Sequence, residues 1–185
     1  PEHSIVLNIE PEHLDFYADI EAIKTVFRQL LSQTPGYCVY CAEDPVAREV
    51  CGSHPKAISY GWDRSMNFSA NITAMRPDQT DFEVYRDGEK LGEVTLGIPG
   101  KHNVSNSLAA IALATQTGVN FESIRHALQS FRGARRRFEI RHMSDRFKVI
   151  DDYGHHPSEV AATLATAEGL KPKRILCLFQ PHRYS

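Results

Sequence analysis

Residues 151–160 read DDYGHHPSEV, so two acids, a tyrosine, a glycine and two histidines fall within six positions. The apolar run FKVI (147–150) comes directly before them and reads as a buried strand. In open α/β sheets, ligands bind beyond the carboxyl ends of the strands. Pro157 suits the first turn of a following helix, whose N-terminus favours anions. The segment therefore predicts a grip for a phosphate, a carboxylate or a ribose. The plainer alternative is one acid capping the helix beside solvated histidines. Five polar and ionisable side chains at one strand end favour a site.

Four other clusters invite the same question. GKHNVSNSLAA (100–110) sets Asn103 and Asn106 about the start of a helix rich in small residues. Asparagine amides donate and accept together, which suits an adenine edge or a ribose, although an ordinary asparagine cap reads similarly. RGARRRF (132–138) gathers arginines whose planar forks match phosphate, against the common reading of a solvated charged face. NIEPEHLDFY (8–17) follows an apolar run, and its Glu10, Glu12, His13 and Asp15 could hold a divalent cation. FQPHRYS (179–185) places His182 and Arg183 where they could reach an anionic substrate.

The elements that must position these residues follow from hydrophobic periodicity. SIVLNI (4–9) predicts a central strand. Asp19 can cap a helix with Ile20, Ile23, Phe27, Leu30 and Leu31 on its apolar face, ended by Pro35-Gly36. YCVYC (37–41) and AISYG (57–61) are further strands, with a short helix opening at Asp44-Pro45 between them. This alternation argues for a parallel α/β sheet. MNFSANITAM, TDFEVYRDG and EKLGEVTLGI then read as an antiparallel meander with a hairpin at Asp87-Gly88. A helix runs from about Val104 to Gly118, and Asn120 caps another carrying Phe121, Ile124, Leu128 and Phe131. A boundary falls near Glu139–Arg141, so the domains read as 1–139 and 140–185. FKVI, a helix from about Pro157 to Glu168 and RILCLF (174–179) then predict a fresh β-α-β unit.

Composition is that of a soluble globular protein, with 42% hydrophobic and 24% charged residues over 185 positions. A net charge of −2 gives no support to nucleic-acid or membrane binding, and no apolar run approaches a membrane span. Cys38, Cys41, Cys51 and His54 imitate a zinc pattern, but residues three apart on a strand point to opposite faces. Free buried cysteines fit a reducing, cytoplasmic compartment. The chain reads as part of a longer protein.

Taken in order, NIEPEHLDFY, GKHNVSNSLAA, RRRFE, DDYGHHPSEV and FQPHRYS resemble the Mur ligases of peptidoglycan synthesis over essentially the whole chain. The resemblance implies an α/β fold: part of a P-loop-type central ATPase domain with its β meander, then the start of a Rossmann-like C-terminal domain. It implies an ATP-dependent ligase that joins L-alanine to the carboxylate of UDP-N-acetylmuramate through an acyl phosphate. ATP and Mg2+ are the implied cofactors. By the same resemblance His13 binds magnesium, and His102, Asn103, Asn106, Arg136, Arg137 and Asp152 serve ATP. Tyr153, His155, His156, His182 and Arg183 lie by the amino acid and the acyl phosphate, with His155, His156 and Arg183 at the reaction itself.

The family's G-x-x-x-x-G-K-[ST] loop is missing from these residues; GIPGKHN has Gly-Lys but then His102. The 185 residues alone are therefore expected to be inactive. Lys24 is the only lysine on the helix after His13, where some relatives carry a carbamylated lysine, and it reads as an ordinary exposed side chain. Three alternatives stand beside the main reading: a recycling ligase that attaches a tripeptide to the same nucleotide sugar, a non-catalytic nucleotide-binding protein, and a metal hydrolase using His13, His155 and His156.

Overall fold

Apolar residues alternate between strand and helix spacing over the first third of the chain, and the backbone follows them. The computed structural model describes residues 1–12 and 15–181. Strands β1 (Ser4–Val6), β2 (Cys38–Cys41) and β3 (Ala57–Gly61) run parallel, linked by helices α1 (Ile20–Ser32) and α2 (Pro45–Cys51). Asp19 caps α1 by accepting from the Ala22 N–H at 2.9 Å, and Asp44 caps α2 through Ala47 at 2.6 Å. Both caps satisfy N–H groups that a helix start leaves without partners.

Strand β4 (Phe68–Met75) joins β3 in parallel, then β5 (Thr80–Arg86) and β6 (Glu89–Leu96) return antiparallel. The result is one six-stranded sheet in the order β1-β2-β3-β4-β5-β6. Asp87 and Gly88 both take positive φ, 50° and 85°, as the tight hairpin between β5 and β6 requires.

Helices cover both faces of the sheet. Val6, Ile23, Leu31, Cys38, Ala47 and Val50 form the core under α1 and α2. Val39, Cys41, Tyr60, Phe68, Phe82 and Val94 pack on the other face, against Val104, Leu108 and Ile111 of α3 (Lys101–Gln116) and Ile124 of α4 (Phe121–Ser130). Cys38 and Cys41 therefore belong to opposite layers and cannot converge on one ion. His54 is engaged elsewhere, its Nε2 lying 3.0 Å from the Thr34 carbonyl.

Three expectations need correction. SIVLNI is an edge strand that spans only Ser4–Val6. Its apolar character serves one face, with Val6 buried and Ile5 41% exposed. No strand is expected at EIRHM, yet it forms β7 (Glu139–Met143), which pairs antiparallel with β8 (Lys148–Asp151). Helix α5 (Pro157–Gly169) follows as expected, but 174–179 forms no strand, and Leu176 and Leu178 are exposed. RILCLF takes no place in either the six-stranded sheet or the β7-β8 pair. Lys24 also differs from its reading. It is only 12% exposed and pairs with Glu21 and Glu49, each at 2.8 Å. Hydrogen bonds to Glu21 and Glu49 raise its pKa, the opposite of what carbamylation needs.

Gly100 starts α3 at φ +112°, a conformation that side-chain-bearing residues rarely adopt. A Cβ there would lie 2.9 Å from the buried Thr166 Oγ1 and 3.0 Å from the His102 ring. Gly100→Ala should therefore destabilise the protein by about 1–3 kcal/mol, read as a lower denaturant midpoint. An unchanged midpoint would show that α3 and α5 do not pack this closely in solution.

Candidate active site

Every parallel strand of the sheet points its carboxyl end at one edge, and α3 begins at that same edge because β6 runs parallel to β4. Helix α5 lies across this edge. Its first turn touches the loop after β1, where Ser158 Oγ donates to Glu10 Oε2 at 2.9 Å. Eight residues on, or about 12 Å along a helix, Thr166 meets the start of α3, with its Oγ1 3.3 Å from His102 Nδ1. A crevice roofed by α5 is thus framed by the start of α3, the loop after β1 and the basic turn 132–138.

The DDYGHHP segment is tied down residue by residue. Asp152 Oδ1 accepts from the Gly154 N–H at 2.7 Å, and its Oδ2 accepts from the Phe138 N–H at 2.8 Å. One carboxylate therefore fixes both the strand end and the turn that connects the two units. Arg136 and Phe138 hold positive φ, 57° and 49°, in that turn. Arg136 donates its backbone N–H to Glu139, lies 3.7 Å from Asp151 and stacks 4.7 Å from the Tyr153 ring centre.

Glu159, which the sequence reading did not single out, organises the other side. Its Oε2 accepts from the backbone N–H groups of His155 and His156 at 3.1 and 3.3 Å, and its Oε1 accepts from Arg137 at 3.0 Å. The available signal was an acid three positions beyond His156, the capping-box spacing, hidden because histidine is not a usual cap. Burial opposes ionisation of Glu159, but the His155 N–H, the Arg137 guanidinium and the His156 N–H outweigh it and hold the carboxyl below its usual range. A depressed folded pKa stabilises the fold above the unfolded value, and that stability is lost as pH falls through the folded one. The melting-temperature gap between the wild type and Glu159→Gln should therefore shrink as pH drops below the ordinary glutamate range. A gap that held or widened on acidification would contradict this assignment.

His102 sits between the two units. Burial pushes its imidazole below the ordinary value; Asp152 opposes that shift and Arg137 adds to it. Contacts therefore link His102, Arg136, Arg137, Asp152, Tyr153, His155 and His156 around the junction of α3, α5 and the turn 132–138. Asn103 is at its margin, with its amide donating to the Pro99 carbonyl at 2.6 Å, and Gly100 rather than an asparagine caps α3. Asn106 lies exposed one turn along. His13, His182 and Arg183 fall outside the described residues. Glu10, expected as a cation ligand together with His13, sets one carboxylate oxygen against α5. Among the described residues no three histidine, cysteine, aspartate or glutamate side chains cluster as a metal site, and no helix is long and apolar enough to cross a membrane.

In an α/β fold the carboxyl edge of the sheet is where ligands bind, and here a helix from the C-terminal unit lies over it. The chain belongs to the Mur ligase family: residues 1–114 match the Mur ligase middle domain and residues 136–184 match the Mur ligase glutamate ligase domain. Within that family it is similar to UDP-N-acetylmuramate–L-alanine ligases. The enzyme of that name from Clostridium perfringens is 42% identical over all of this chain, and the one from Pelotomaculum thermopropionicum is also 42% identical. The crystal structure of a UDP-N-acetylmuramate–alanine ligase from Thermotoga maritima superposes on 92% of the chain, with a TM-score of 0.80 and 28% identity, and the match covers 39% of that structure. The chain spans about 41% of the length of the two curated relatives.

Proposed function

We propose that this chain is part of an ATP-dependent ligase that joins L-alanine to the carboxylate of UDP-N-acetylmuramate. Residues 1–139 would be the later part of its central ATP-binding domain, and 140–185 the opening of its C-terminal domain. One observation carries the reading. Helix α5 meets the loop after β1 at Ser158, just past DDYGHHP, and the start of α3 at Thr166, which supports one shared site for nucleotide and amino acid. The 42% identity to alanine-adding relatives along the whole chain supports alanine as the amino acid.

The chemistry fits the residues. A phosphoryl group passes from ATP to the sugar carboxylate, and the amine of alanine then displaces phosphate from the acyl phosphate. Such a sequence needs positioning and charge neutralisation more than covalent help. Arg136 and Arg137 offer guanidinium groups at the turn between the domains, and the start of α3 adds the positive end of a 16-residue helix. Asp152 would reach the ribose, His102, Asn103 and Asn106 the nucleotide, and Tyr153, His155, His156, His182 and Arg183 the amino acid and the acyl phosphate. His13 would hold Mg2+, and the neighbouring Glu12 and Asp15 are oxygen donors of the kind magnesium takes. When bound, that ion supplies charge neutralisation at the transferring phosphate. Closure of α5 over the crevice keeps water from a hydrolysable acyl phosphate. Dependence on ATP agrees with a cytoplasmic enzyme.

The test is phosphate release by the complete gene product. Release that requires ATP, UDP-N-acetylmuramate and L-alanine together supports the reading. Release that ignores the nucleotide sugar would overturn it.

A further inference from the structure

Glu10 and the first turn of α5 meet across 148 positions of sequence. Glu10 Oε2 lies 2.9 Å from His156 Nδ1 and 2.9 Å from Ser158 Oγ, and Ser158 Oγ lies 2.7 Å from the same His156 nitrogen. Glu10 and His156 are each 28% exposed at the side chain, so the contact is partly shielded from water. A carboxylate oxygen accepts, so the Ser158 hydroxyl and the His156 Nδ1 both direct hydrogens toward it. The Ser158 N–H that caps α5 through Nδ1 lies 3.4 Å away, the longest of the contacts to that nitrogen. With Nδ1–H held, Nε2 is the nitrogen that carries the lone pair in the neutral ring. His155 is arranged differently, with its Nδ1 3.1 Å from the Tyr153 carbonyl and 3.8 Å from a Glu159 oxygen already taken by two backbone N–H groups.

We propose that Glu10 is a positioning residue that fixes His156 as the proton acceptor for the incoming amino group, an inference that rests on the ligase reading above. An ammonium group has no lone pair and cannot attack. His156 Nε2 takes one of its protons, and the imidazolium formed is steadied by Glu10, as a carboxylate steadies the histidine of a hydrolase triad. The freed nitrogen lone pair forms the N–C bond at the acyl phosphate. The C–O bond to phosphate then breaks with its electron pair, and the second nitrogen proton leaves with the phosphate. The base is complete only when α5 rests on the loop after β1, so deprotonation is tied to closure of the two domains.

The complete gene product tests this with two nucleophiles, L-alanine and hydroxylamine, each with ATP and UDP-N-acetylmuramate. Hydroxylamine is largely unprotonated at neutral pH and needs no base. Glu10→Gln should lower kcat with L-alanine on the order of 10²-fold, while hydroxamate formation stays near the wild-type rate and KM for ATP holds. Should that variant fail to fold, Glu10→Asp is expected to show the same split, because its shorter carboxylate no longer reaches His156 Nδ1. An equal loss with both nucleophiles would make Glu10 a docking contact only and overturn the proposal, as would no loss with either. A wild-type protein inactive with both nucleophiles would remove the ligase reading itself, and that failure is visible before any variant is made.

Discussion

Replacing Arg137 with alanine in the complete gene product should lower kcat/KM for ATP by about 10²–10³-fold and leave the melting temperature almost unchanged. The two halves of this expectation have separate causes. In the structure Arg137 is about half exposed and pairs with Glu159 at 3.0 Å. An exposed pair of this kind contributes roughly 0–1 kcal/mol, and Glu159 keeps two backbone N–H donors without it. The catalytic half comes from position, since Arg137 stands at the turn between the domains and close enough to His102 to depress its imidazole. There a guanidinium can neutralise charge on a phosphate as the domains close. Arg137→Lys should recover little, because an ammonium lacks the planar fork that grips two oxygens at once. Steady-state kinetics against ATP, with a thermal melt alongside, checks both halves. A large fall in melting temperature with unchanged ATP kinetics would move Arg137 from the site to the scaffold.

Asp152→Ala should have the second largest effect, and here stability and activity fall together. The carboxylate accepts from Phe138 and Gly154, so its removal leaves two backbone N–H groups without their partners. Hydrogen bonds to a charged acceptor contribute about 1.5–3 kcal/mol each. Asp152 is only partly buried, so a combined loss on the order of 2 kcal/mol is expected after solvent takes up some of the slack. The left-handed turn at Arg136 and Phe138 would relax, and α5 would no longer be held to the same geometry. Displacement of reacting groups by about 1 Å can cost on the order of 10²-fold in rate. Asp152→Asn should fall between, because its amide keeps one accepting oxygen and cannot serve both N–H groups. A fully active, fully stable Asp152→Ala protein would contradict the network.

Much of this architecture was legible in the sequence where local chemistry and global fold agree. Asp19, Asp44 and Asn120 cap the helices they precede, and Asp87-Gly88 makes its hairpin. The strands and helices of residues 37–130 fall where periodicity puts them, and the family resemblance is borne out. The misses share a cause: each depended on a partner that is distant in sequence. SIVLNI shows which face is apolar but not how many neighbours the strand has. EIRHM became a strand through pairing with KVID rather than through its own pattern. For Glu10 the sequence shows only its neighbours, acids and a histidine. Its partners in space are His156 and Ser158, nearly 150 residues away. Lys24 looked exposed because Glu49, which covers it, lies on a different helix.

The proposed reaction joins L-alanine, and not a preformed peptide, to the nucleotide sugar. The most direct test is the mass of the product formed when the complete gene product receives ATP, UDP-N-acetylmuramate, and equal amounts of L-alanine and the L-Ala-D-Glu-containing tripeptide. A product heavier than the nucleotide sugar by one alanine residue is the predicted result. A product carrying only the tripeptide would contradict it and make the protein a recycling ligase.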